Sequence, residues 1–121
     1  MLRVGIAIAA LTVFGALAPG AEIRGKWKGS VTGREGARAL YFVFELEGEK
    51  LTGMMIDAHG ENIIHDGRIS GDQLSFTLVY DLSGDKIKRI YRGTLSGDEI
   101  QFTSQAENGD NKREFTVRRM Q

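Results

Sequence analysis

The 121 residues contain no cysteine and a single proline. Without Cys there is no disulfide framework and no thiolate metal site, and no Cys stands where a lipoprotein would carry its lipid. An excess of one charge is missing too. Lys+Arg and Asp+Glu both number 16, so the strongly basic field of a nucleic-acid binder is absent and no nucleic-acid partner is expected. The sequence has no G-x-S-x-G, no P-loop, no G-x-G-x-x-G and no H-E-x-x-H. The common enzyme classes therefore have no foothold. The expectation is a protein that is not an enzyme, with no catalytic residues, cofactor or metal.

One apolar run stands out. Met1-Leu2-Arg3 is a short basic start, Val4 to Ala18 carries no charge, and Pro19-Gly20-Ala21 leads into the polar chain at Glu22. A membrane span needs about 20 apolar residues, and this run is shorter. Basic start, apolar middle and small residues at the end are the layout of a secretory signal peptide. Residues 1–21 are therefore expected to be a signal peptide and 22–121 a single exported domain, secreted or periplasmic, with no transmembrane segment once mature.

From Gly25 onward the chain reads as strands. Leu40, Phe42, Phe44 and Leu46 alternate with Tyr41, Val43 and Glu45; Leu74, Phe76, Leu78 and Tyr80 alternate with Ser75, Thr77, Val79 and Asp81. Period two gives each strand two distinct faces. Gly-centred turns recur, as in Glu47-Gly48-Glu49, His59-Gly60-Glu61, Ser70-Gly71-Asp72, Ser83-Gly84-Asp85, Ser96-Gly97-Asp98 and Asn108-Gly109-Asp110. Gly there supplies positive φ without steric cost. A repeat is also present. Residues 67–77 and 93–103 share six of 11 positions at an offset of 26, which is two strands and two turns. Such a repeat implies a meander. The reading is all-β: an eight-stranded antiparallel up-and-down meander barrel, with strands near 25–32, 38–46, 50–58, 62–70, 73–81, 86–95, 99–105 and 112–120. An even count lets the first and last strands pair and close the sheet. The third strand is ambiguous, because Leu51, Met55 and Asp57 share one parity while Met54 and Ile56 share the other. A bulge at Gly53 could switch its faces.

Gly25-Lys26-Trp27 resembles the G-x-W signature of the lipocalins and wider calycins. The chain is also similar to small secreted bacterial domains that carry G-x-W, then G-x-x-S-G-D-x-[IL]-x-F units, then a terminal F-x-[AV]-x-R. Here these are Gly67–Phe76, Gly93–Phe102 and Phe115–Arg119. Such domains occur alone or appended to secreted hydrolases. The resemblance implies a lipocalin-like barrel in which Trp27 plugs one end and Arg119, from the last strand, packs over it, making Gly25, Trp27 and Arg119 the closure. There is no room for the C-terminal helix of larger lipocalins, so a mostly packed interior is expected, with at most a shallow pocket at the end away from Trp27.

Three sets of residues invite a functional reading. Asp57, His59, Glu61, His65 and Asp66 hold both His of the chain around the turn at Gly60. Two His on adjacent strands beside a carboxylate have the composition of a metal site or an acid–base pair, though the spacing matches no standard motif, and a solvated loop has the same composition. Tyr41, Val43, Met54, Ile56, Ile64, Val79 and Ile90 carry the parity assigned to the outside, and together would make an apolar patch for a partner or dimer. Lys86, Lys88, Arg89 and Arg92, with Lys112, Arg113 and Arg118, form a cationic stripe that either greets an anionic partner or keeps an outer face wet. The expected function is non-catalytic binding of a small apolar ligand, a carbohydrate or an envelope protein. The alternative is a structural or inhibitory module acting through its outer face; a small hydrolase built on His59 and His65 comes last. Ligand and oligomeric state are not legible in the sequence.

Overall fold

The computed structural model describes residues 23–33 and 36–120. The proposed signal peptide and its cleavage point lie outside these residues. The strands are β1 (Gly25–Gly33), β2 (Gly36–Glu47), β3 (Lys50–Asp57), β4 (Gly60–Ile63), β5 (His65–Ser70), β6 (Gln73–Leu82), β7 (Asp85–Ser96), β8 (Glu99–Ala106) and β9 (Arg113–Arg119). All pairings are antiparallel, and each strand pairs with the next around the ring, save that β5 lies beside β3 with β4. The first and last strands pair through Val117 with Gly29 and Arg119 with Trp27, which closes the barrel. Segments β4 and β5 continue one another, so the wall has eight staves, as the turn rhythm predicts. Closure removes the open edges a sheet of this length would otherwise present.

The break between β4 and β5 is a bulge, and it falls one stave away from where the sequence suggests it. Strands β2 and β3 run in unbroken register from Tyr41–Ile56 to Leu46–Leu51, so Gly53 switches no faces. Leu51 and Met55 point inward together. The register instead slips between His65 and Arg68 against β6, where Asp66 takes a φ of 53°. One extra residue on one side of a ladder inverts the side-chain faces beyond it. Ile64, expected outside, is therefore buried in the core, while its neighbour Ile63 is 66% exposed. Gly53 has a different task. Its φ is +140°, and a Cβ there would lie 1.8 Å from the Val43 carbonyl oxygen, so the two backbones meet where no side chain fits.

The interior is filled from the Trp27 end. Phe42 lies at its centre, with ring centroids 5.3 Å from Phe44, 5.6 Å from Phe76 and 5.3 Å from Phe102. Phe115 and Tyr91 complete the cluster at 6.5 and 6.3 Å. Gly93 makes room for it, since a Cβ there would come within 2.7 Å of the Phe102 ring. The two repeats are used alike: Ile69, Leu74 and Phe76 are buried, and so are Leu95, Ile100 and Phe102.

Trp27 seals the end. It is fully buried, donates from Nε1 to the Ile23 carbonyl oxygen at 2.9 Å, and lies under the Arg119 guanidinium at 4.4 Å from the ring centroid. Arg119 also donates from Nη1 to the Arg24 carbonyl oxygen and from Nε to Asp98 Oδ1. Gly25 faces the Arg119 guanidinium, 3.6 Å from where its Cβ would be. Among the described residues, no helix is long and apolar enough to cross a membrane.

Candidate binding pocket at the open end

At the end away from Trp27 the inward positions change character. Along β1 the inward row that begins with Trp27 ends in Val31; along β2 Phe42 and Leu40 give way to Arg38; along β3 Met55 gives way to Asp57. On β6 the row of Phe76 and Leu78 ends in Tyr80, and on β7 the row of Leu95, Gly93 and Tyr91 continues to Arg89 and Ile87. Aromatic rings fill space, whereas these polar ends are drawn to the rim by water and hydrogen bonds. A cavity of about 390 Å³ results, floored by Leu40, Met55 and Tyr91 and open to solvent between the turns. Its position agrees with the expectation from the sequence. Its volume lies at the low end of small-molecule sites, roughly 300–1,000 Å³.

Arg89 departs from its expected place on the outer cationic stripe. It is only 8% exposed and lies inside the barrel. Its Nη2 donates to Ser104 Oγ at 2.9 Å and to the Asn111 carbonyl oxygen at 2.7 Å, and its buried Nε has no partner. The signal is present in the sequence: Arg89 shares parity with the inward Tyr91 and Leu95. Arg113, another member of the stripe, also lines the cavity. The outer cations include Lys86, paired with Asp81, and Arg118, paired with Glu99, at 3.0 and 2.7 Å.

Beside Arg89, the hydroxyls of Tyr80 and Tyr91 meet at 2.8 Å. Burial, followed by the neighbouring Tyr91, pushes the Tyr80 phenol well above its ordinary value, with Asp57 adding to the rise and Arg89 opposing it. At the rim, Arg38 Nη1 donates to His59 Nε2 at 3.1 Å. Asp57 Oδ1 accepts from the His59 backbone N–H at 2.8 Å, which fixes the turn.

The cluster of Asp57, His59, Glu61, His65 and Asp66 is therefore divided. Asp57 and His59 line the cavity. Glu61 is exposed on β4, His65 is exposed at the start of β5 opposite Thr77, and Asp66 is exposed in the bulge. His59 stands in the turn between β3 and β4 and His65 at the start of β5, so the two do not face each other from adjacent strands. Among the described residues, no three His, Asp or Glu side chains gather as a metal-binding group.

The outer patch survives in reduced form. Tyr41 pairs with Ile56, Val43 with Met54, and Met54 with Ile63, which makes an apolar strip across three strands, half-buried except at the exposed Ile63. Val79 and Ile90 are half-buried on β6 and β7, and Ile64 leaves the set for the core. No protein-family model, curated protein or solved structure matches this chain. The reading of the site rests on its geometry.

Proposed function

We propose that the protein is an exported, non-catalytic binding domain of lipocalin-like form that takes a small, largely apolar molecule into the open end of its barrel. The observation that supports this is the cavity of about 390 Å³, with an apolar floor at Leu40 and Met55 and a few converging polar groups at Tyr80, Tyr91 and Arg89. Concave, mostly apolar sites with sparse polar groups are the usual form of small-molecule pockets. The export part of the proposal comes from the signal-like start of the sequence. Titration with Nile red, a neutral solvatochromic dye, tests the pocket: saturable one-to-one binding is expected, weakened by filling the floor with Leu40→Trp. Dye binding that does not saturate would overturn it.

A second reading, an interaction module acting through the outer face, is supported by the strip from Tyr41 to Ile63. It expects self-association detectable by sedimentation and abolished by Ile63→Lys.

A further inference from the structure

Between β4 and β6, on the mouth side of the bulge, the ladder of the wall is interrupted. Strand β6 pairs with β5 from Ser70–Gln73 as far as His65–Thr77, and there the ladder ends. Beyond it β4 pairs with β3, stands last in the sheet order, and no ladder joins it to β6. Hydrogen bonds at the borders show which backbone groups face the gap. Ile64 N donates to the Gly53 carbonyl oxygen at 3.0 Å, and Leu95 N to the Asp72 carbonyl oxygen at 2.7 Å. Backbone groups alternate in direction along a strand. Glu61 and Ile63 therefore turn their N–H and C=O away from β3, and Val79 and Asp81 turn theirs away from β7.

The side chains at the two lips give a reason for the opening. Continuing the register of His65–Thr77 would set Ile63 opposite Val79 and Glu61 opposite Asp81. All four carry the outward parity: Ile63 and Glu61 pair with Met54 and Ile56, Val79 and Asp81 with Lys88 and Lys86. Like charges directly opposite destabilise a ladder, so the aliphatic pair stands beside two carboxylates that resist zipping. Asp81 holds Lys86 at 3.0 Å. Glu61 is exposed and forms no ion pair among the described residues.

We infer that this gap is a docking site for an extended peptide, which adds as a strand to the edge of β4 with an apolar residue between Ile63 and Val79 and, two residues on, a Lys or Arg between Glu61 and Asp81. The inference goes beyond both readings above and depends on neither, since Glu61 and Ile63 lie outside the cavity lining and the edge needs no second copy of the chain. An added strand gains main-chain hydrogen bonds from an unpaired edge, and its alternate side chains set which peptide is chosen. Strand β4 runs inward from the mouth at Gly60, so an antiparallel partner meets Ile63 first and the pattern reads apolar-x-basic. The apolar residue extends the row of Val43, Met54 and Ile63 by one strand. The cation faces the two carboxylates that keep β4 and β6 apart.

The test titrates acetyl-Thr-Val-Thr-Lys-Thr-amide into the folded protein and follows its amide resonances. Those of Glu61 and Ile63 are expected to shift. In the free protein they should exchange with solvent faster than that of Ile64, whose N–H is bonded to Gly53. Methylating the Val and Lys amides of the peptide should abolish binding, because those N–H groups face β4. Replacing the peptide's Lys by Glu should weaken binding at least about tenfold, since like charges are then brought together. Glu61→Lys, a change at an exposed position, should reverse that preference. Equal binding of the methylated peptide, slow exchange at Glu61 and Ile63 in the free protein, or no binding at all would each overturn the inference. So would shifts at β4 that grow with protein concentration in the absence of peptide, which would give the edge to a second copy. None of these outcomes touches the pocket reading, which Nile red tests.

Discussion

The Arg119 guanidinium stands 4.4 Å above the centre of the Trp27 ring, at the register position where the last strand meets the first. One pair of side chains thus seals the barrel's end and joins its seam. Trp27→Ala is expected to cost about 3–5 kcal/mol, as for other buried aromatic truncations. Arg119→Met should cost less, about 1–2 kcal/mol, since the cation–π contact contributes roughly 0.5–2 kcal/mol and the Arg119 side chain is partly solvated. Denaturant unfolding of both variants checks the order, and equal losses would contradict the geometry.

The bulge at Asp66 makes opposite predictions for two adjacent isoleucines. Ile64→Ala should destabilise by about 2–5 kcal/mol as a core truncation. Ile63→Ala should stay within about 0.5 kcal/mol as a surface change. Thermal melts of the two variants would settle which face each side chain occupies.

Gly53→Ala is expected to be severe although the residue is small. The φ of +140° disfavours any Cβ, and the Val43 carbonyl occupies its place. The strained backbone alone costs of order 1–3 kcal/mol, and the clash adds to it. Gly33→Ala, with no atom within 4 Å of the new Cβ, serves as the control and should melt close to the unaltered protein.

Tyr80 sets an alkaline limit. Its phenol is held neutral in the folded chain, above the ordinary tyrosine value near 10. The native state keeps this proton where the unfolded state has lost it, so stability falls with rising pH. The contribution is complete below about pH 10 and is lost as pH climbs above that value. Phenolate absorbance of the folded protein should show Tyr80 still un-ionised when an ordinary phenol has titrated, and stability should fall less steeply with pH in Tyr80→Phe.

The uncharged Val4–Ala18 run predicts processing on export. N-terminal sequencing of secreted or periplasmic material should give a chain starting at Ala21 or Glu22. Full-length protein confined to the cytoplasm would refute it.

Much of the fold is legible in the residues alone. Period two along β2, β6 and β7 places Phe42, Phe76 and Tyr91 inside, because a strand whose two faces meet different solvents must sort its residues by parity. The 26-residue repeat carries the meander, and the closure by Trp27 and Arg119 is what the G-x-W resemblance implies. Arg89 is legible too, by the same parity, but its charge groups it with the wet cations around it.

What the sequence by itself determined is therefore local and periodic: which residues form strands, where the turns fall, and which face of each uninterrupted strand is apolar. The tertiary structure alone decided the rest. A bulge can arise at any of several residues at similar local cost, and only the register demanded by β3 and β6 together placed it at Asp66 rather than Gly53. Whether Arg89 would be solvated or enclosed depended on how many large rings fit across the ring of staves. The Phe42 cluster fills one end, the other stays open, and Arg89, left facing that space, forms no ion pair among the described residues.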